Sequence, residues 1–168
     1  NFTYFEINIS GKFSNTEISN NEIFNNLPTA WHNNFRCINI GAAVTGTTNT
    51  FNNKIHDLTL DVTAQGGSIP AIYSGGLAGT ISNIYNNVIY LDASFTHPSQ
   101  IWNGIQTAGL GAVNIYYNSI FIGGTDITAG SSYGIYLGGT GAVNVKDNAV
   151  HNARSNSSGT GKHYGIYT

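Results

Sequence analysis

The chain has 168 residues, enough for a sizeable core, yet only 8% of them are charged and the net charge is -2. Six lysines and arginines, scattered without a cluster, exclude the basic stripe that nucleic acid requires, and no apolar run approaches the roughly 18 residues of a membrane span. With 40% apolar residues, 10 tyrosines and 8 phenylalanines, the composition points to an all-β chain with many turns rather than to disorder.

In chain order, two short patterns alternate. "FEINI" (Ile7) is followed by "ISNNEIF" (Asn21), then "RCINI" (Ile38) by "TFNNKIH" (Asn53). "PAIYS" (Ile72) precedes "IYNNVIY" (Asn87), and "NGIQT" (Ile105) precedes "IYYNSIF" (Asn118). "YGIYL" (Ile135) precedes "VKDNAVH" (Asn148), and "YGIYT" (Ile166) closes the series. The asparagines are spaced by 32, 34, 31 and 30 residues and the isoleucines by 31, 34, 33, 30 and 31. Two markers that drift together define a structural repeat.

Around each asparagine the side chains alternate with the period of a strand. Ile18, Thr50, Ile84, Ile115 and Val145 stand three before it; Ile23, Ile55, Ile89, Ile120 and Val150 stand two after. Both columns are expected to face inward. A polar residue usually precedes the asparagine (Asn20, Asn52, Asn86, Asp147), with Tyr117 the exception. A short bend between strands needs a residue that tolerates a left-handed backbone, as Asn and Asp do. Each unit therefore reads as strand, tight bend, strand, variable loop, and a third strand at the isoleucine marker. Gly11, Gly41, Gly75, Gly109 and Gly138 follow that strand and suit the turn into the next unit.

A unit this small buries its apolar face only by stacking on its neighbours, about 4.8 Å apart. The asparagine column (Asn21, Asn53, Asn87, Asn118, Asn148) and the isoleucine columns resemble those of the right-handed parallel β-helix superfamily of pectate lyases, polygalacturonases and phage tailspikes. That resemblance implies an all-β, right-handed parallel β-helix solenoid of about five coils of 30–34 residues, with a hydrogen-bonded asparagine ladder at one bend. The Asn- and Gly-rich style ("GIYLGGTGAVNV") is also similar to repeats of large secreted proteins of Bacteroidota. Propeller blades usually need about 40 residues and four strands, a poorer fit. Residues 1–168 read as one β-helix domain. Both ends fall in the same phase of the repeat, so an interior segment of a longer solenoid is expected, or copies that associate end to end.

Enzymes of that superfamily need charged groups converging on one face. The positions before the isoleucine markers hold Glu6, Cys37, Ala71, Gly104 and Gly134, with no Asp cluster. Asp61 and Asp126 lie at equivalent positions two coils apart, about 10 Å, near the separation of an inverting carboxylate pair; solvated loop or turn residues are the plainer reading. Arg36 and Arg154 are the only arginines, and nothing singles out either as a lyase base. His56 and His151 share a column with Phe24, Tyr90 and Phe121; at about 14 Å one metal ion does not bridge them, and an exposed aromatic stack is expected. No metal or cofactor is expected. Cys37, the sole cysteine, reads as a small buried hydrophobe.

The most suggestive residues flank the isoleucine marker. One after it stand Tyr73, Gln106, Tyr136 and Tyr167; two before it stand Asn103, Tyr133 and Tyr164. Flat rings beside amides suit sugars, which present apolar faces and hydroxyl rims. β-Sheets also favour tyrosine for packing alone. The expected role is an extracellular or cell-surface rod, structural or adhesive, whose loops ("LDASFTHPSQIWN") and faces contact polysaccharide or cell-surface glycan. Alternatives are a polysaccharide lyase or glycoside hydrolase with its site partly outside this segment, and a self-assembling filament subunit.

Overall fold

A computed structural model describes residues 4–10, 15–25, 35–41, 46–58, 67–92, 101–126 and 130–168. The elements recur in threes. After β1 (Tyr4–Ile9) come β2 (Asn15–Ser19), β3 (Glu22–Asn25) and β4 (Phe35–Ile40). The next coil holds β5 (Thr47–Phe51), β6 (Lys54–Leu58) and β7 (Ser68–Ser74), and the next β8 (Ile81–Tyr85), β9 (Val88–Asp92) and β10 (Ile101–Thr107). Then follow β11 (Ala112–Tyr116), β12 (Ser119–Gly123), the short β13 (Thr125–Asp126) and β14 (Ser132–Leu137). The last set is β15 (Val143–Lys146), β16 (Ala149–Asn152), β17 (Ser155–Asn156) and β18 (His163–Tyr167). No helix occurs among the described residues.

Corresponding strands of successive coils pair in parallel, so the chain is a parallel β-solenoid. The first sheet runs β1-β4-β7-β10-β14-β18, the second β2-β5-β8-β11-β15 and the third β3-β6-β9-β12-β16, with β13 and β17 as a small fourth pair. The register follows the sequence markers: Ile7 pairs with Ile38, Ile38 with Ile72, Ile72 with Ile105, Ile105 with Ile135, and Ile135 with Ile166.

The core is a set of isoleucine columns. Ile38, Ile72, Ile105 and Ile135 of the first sheet are fully buried. Ile18, Thr50, Ile84 and Ile115 of the second sheet face Ile23, Ile55, Ile89 and Ile120 of the third, all inside. Val145 and Val150 are half-buried and pack against that core. Each such side chain contributes roughly 1.5–3 kcal/mol by leaving water. Cys37 lies in the same interior, reduced and wholly covered.

The bend between second and third sheets divides its labour between two residues. The left-handed conformation falls on the residue before the ladder: Asn20 (φ 57°), Asn52 (54°), Asn86 (53°), Tyr117 (57°) and Asp147 (53°). The ladder asparagine itself points inward and bonds. The Nδ2 of Asn21 donates to Asn53 Oδ1 at 2.8 Å, Asn53 to Asn87 at 3.0 Å, Asn87 to Asn118 at 2.9 Å, and Asn118 to Asn148 at 2.9 Å. Each acceptor oxygen also takes the backbone N–H of the preceding ladder residue, as Asn87 Oδ1 does from Asn53 at 3.0 Å. From Asn53 onward each amide also reaches back to a carbonyl of the previous coil, as Asn87 Nδ2 does to Thr50 O at 2.9 Å. Three buried ladder residues, Asn53, Asn87 and Asn118, are thus satisfied on every side, the condition for a polar group to lie in a core.

The glycine column differs from the expectation. Backbone bonds from Gly75 to Ile40, from Ala108 to Ser74 and from Gly138 to Thr107 align Gly41, Gly75, Ala108 and Gly138. Gly109 sits one place later, beside Gly76 and Gly139. None of Gly41, Gly75, Gly109 and Gly138 has a positive φ; a Cβ on Gly109 would strike Gly76 O. Close approach between coils, not turn freedom, calls for glycine there. Gly11 lies outside the described residues.

Two substitutions test this frame. Asn87→Ala strands the Asn53 donors and the Thr50 carbonyl and should lower unfolding stability by about 3 kcal/mol or more, read as a fall in the urea midpoint. Tyr117→Asn relieves a left-handed backbone at an exposed site and should raise stability by about 1 kcal/mol; an unchanged midpoint would show that the tyrosine carries no strain.

Candidate functional site

The third strands do not alternate regularly. A Cβ on Gly104 would lie 2.6 Å from Ile120 Cγ2, and one on Gly134 would strike Val150. These positions therefore face the third sheet, as does the isoleucine that follows each of them. Two consecutive inward residues kink the strand and place its outward side chains three residues apart. This is why Asn103 Nδ2 reaches Gln106 Oε1 at 3.1 Å and Arg36 reaches Asn39 Oδ1 at 2.7 Å.

The outer face of the first sheet consequently carries two columns side by side. One holds Arg36, Pro70, Asn103, Tyr133 and Tyr164; the other Asn8, Asn39, Tyr73, Gln106, Tyr136 and Tyr167. All seven residues expected to contact a sugar lie here. Tyr133 stacks on Tyr164 (centroids 5.7 Å, 2°) and Tyr136 on Tyr167 (5.5 Å, 5°). At the other end the Arg36 guanidinium lies 3.5 Å over the Tyr73 ring, and Asn39 Nδ2 donates to Asn8 Oδ1 at 2.7 Å. Loss of solvent, opposed by its contact with Tyr73, holds Arg36 below the ordinary arginine value.

Between the tyrosine cluster and the Arg36–Tyr73 pair lies the level of Asn103 and Gln106. There Ser68, Ile101, Asn103, Gln106, Tyr133 and Tyr136 line a groove of about 160 Å³. Ser68 Oγ donates to Gln106 Oε1 at 2.8 Å, and Asn103 Nδ2 donates to Ser68 Oγ at 2.7 Å. These bonds tie the Gln106 amide to Ser68 and Asn103. Asn103 is 1% exposed and its Oδ1 has no hydrogen-bond partner.

Other candidates separate. Asp61 lies outside the described residues, and Asp126 pairs in β13 with Asn156; no carboxylate pair is established. Arg154 is buried, its Nη1 donating to Gly123 O at 3.1 Å, a structural use. The outward column of the third sheet stacks in part: Phe24 lies on His56 at 5.7 Å and Tyr90 on Phe121 at 4.8 Å, while His151 stands edge-on to Phe121 at 5.5 Å. A shallow, mostly apolar trough of about 450 Å³ runs beside it, lined by Val88, Ser119 and Ala149 as well as by Tyr90, Phe121 and His151. His56 lies between Glu22 (2.9 Å) and Asp57 (2.7 Å), and Glu22 also meets Lys54 at 2.8 Å. Bonds from Lys54 and His56 lower the Glu22 carboxyl below its ordinary value. Among the described residues no group of three or more His, Cys, Asp or Glu is placed to hold a metal ion.

A second outward strip went unread in the sequence. On the second sheet Asn114 Nδ2 donates to Asn83 Oδ1 and Asn83 Nδ2 to Asn49 Oδ1, both at 2.8 Å. Two residues on, Phe51, Tyr85 and Tyr116 stack at 4.9 and 5.1 Å with ring planes 5° and 0° apart. The signal was present as Asn-x-aromatic in "TNTF", "SNIY" and "VNIY".

Scans against family models, curated proteins and solved structures return no match for this chain. The geometry is therefore the ground for any functional reading.

Loss of solvent, then the neighbouring Tyr116 and Glu17, push the Tyr85 phenol above its ordinary value. The fold favours the neutral phenol, so this contribution to stability is complete below pH 10 and is lost as pH rises through the higher folded value. Tyr85→Phe keeps the ring stack and should flatten the alkaline fall in the urea midpoint; an unaltered fall would place the titration elsewhere.

Proposed function

We propose that the chain is a stiff structural or adhesive rod, secreted or displayed at a cell surface, that contacts glycan through the outer face of its first sheet. It is grouped by this reading with the right-handed, pectate-lyase-like β-helices, in the Asn- and Gly-rich style of large Bacteroidota surface proteins. The observation that carries the reading is the groove at Asn103, Gln106, Tyr133 and Tyr136. It combines ring faces for the apolar side of a sugar with amides for its hydroxyl rim. The setting is rigid: the groove's residues come from strands locked in register by the core beneath them, so little ordering entropy opposes contact.

The test is electrophoresis through native gels that contain a neutral β-glucan, a mannan, a galactan, chitosan or polygalacturonate. At least one polymer should retard the protein, and Tyr133→Ala or Tyr136→Ala should abolish the retardation while circular dichroism stays unchanged. Free migration through all five would remove the glycan reading and leave a purely structural rod. Release of reducing or unsaturated ends from any polymer would replace the adhesive reading with an enzymatic one.

A further inference from the structure

Stacked rings use their faces on one another. In the first sheet Tyr164 covers one face of Tyr133 and Tyr167 one face of Tyr136, while Arg36 covers one face of Tyr73. A row of open rings on which successive sugars of a chain would lie is therefore absent from the described part of this face. Asn103 stands opposite Tyr133 in the adjacent coil and Gln106 opposite Tyr136. The second faces of Tyr133 and Tyr136 thus turn toward the level of Asn103 and Gln106, where the ring columns are interrupted by amides.

We infer that the groove at this interruption takes a single neutral sugar residue, at a chain end or a branch, and neither a run of polymer nor a uronate. The inference rests on the glycan reading above and narrows it. Size supports it: about 160 Å³ is well under the roughly 300 Å³ at which ordinary small-molecule sites begin, room for about one ring. Chemistry supports it too. None of the six lining residues carries a charge. The guanidinium on this face, Arg36, is engaged with Asn39 Oδ1 and the Tyr73 ring. Ser68, Asn103, Gln106 and the two tyrosines give the groove uncharged polar groups, which match the hydroxyls or the N-acetyl group of a neutral sugar. A carboxylate brings only acceptors and would lose its hydration without a cation in return.

The experiment is a titration of the folded chain with methyl glycosides, followed by the ring resonances of Tyr133 and Tyr136 in NMR spectra. The probes are the methyl glycosides of glucose, galactose, mannose, N-acetylglucosamine and galacturonic acid, with the linear tetrasaccharide of whichever neutral sugar binds. One neutral glycoside should shift both rings, its tetrasaccharide should bind within about threefold of it, and the galacturonide should bind at least about tenfold more weakly, the loss expected when a charge is buried unpaired. Tyr136→Ala should weaken binding about tenfold or more and Tyr136→Phe, which keeps the ring face, by no more than about threefold. Binding of the galacturonide as tight as that of any neutral sugar, or affinity that climbs about tenfold with chain length, would overturn the inference and leave the glycan reading in place. Binding of polymers in the gels but of no methyl glycoside would do the same. Silence of both rings toward every glycoside, together with free migration in every gel, would overturn both.

Discussion

The amide ladder at the bend between the second and third sheets is the constraint on which the solenoid depends. A tight bend beside a core leaves backbone groups that water does not reach, and each one left unpaired costs about 1–3 kcal/mol. Asparagine meets the need because one side chain both donates and accepts. Asn87 accepts from the backbone and side chain of Asn53 and donates to Asn118 and to the Thr50 carbonyl. The bond is intercoil, so satisfaction of one coil requires its neighbour in register. Register in turn stacks isoleucine on isoleucine, and a slip of one residue would send a whole column to solvent.

The same periodicity dictates what the outside does. Parallel, in-register strands put like side chains one above another, so outward asparagines become hydrogen-bonded ladders and outward aromatics become stacks. Phe51, Tyr85 and Tyr116 lie within 5° of parallel. Such stacks stiffen a rod, and they also consume the ring faces that a ligand would need. Recognition is therefore expected where the periodicity breaks rather than where it is best kept. On the first sheet the break is the level of Asn103 and Gln106, between the Tyr73 and Tyr136 levels, and the groove lies there. Beneath that level the core is tight: a Cβ on Gly104 or Gly134 would strike Ile120 or Val150.

Much of this was legible in the sequence because a repeat reports each position several times. The Ile7-to-Ile166 markers fix the register of six strands, and the asparagine column fixes the ladder. Pairing of outward residues one after and two before the marker was legible as well, and Asn103, Gln106, Tyr133 and Tyr136 do line one groove. Three features were not. Gly109 looked like a member of the Gly75 column because spacing alone does not separate turn freedom from close approach; the backbone bond from Ala108 to Ser74 does. The unpartnered Asn103 oxygen depends on which way one amide points, which composition does not encode. The outward Asn49–Asn83–Asn114 ladder was not legible because strand alternation places an amide outward without separating one bonded to its neighbour from one bonded to water.

The most direct test of the ladder is hydrogen exchange of the asparagine side-chain amides, followed by NMR on the native chain. The Nδ2 protons of Asn53, Asn87 and Asn118 should exchange as slowly as the backbone amides of the isoleucine columns, since opening one requires separating two coils. Those of Asn20, Asn52 and Asn86, at the exposed bend positions, should exchange at solvent rates. Fast exchange at Asn53, Asn87 and Asn118 while the core backbone stays protected would contradict the ladder as the element that holds the coils together.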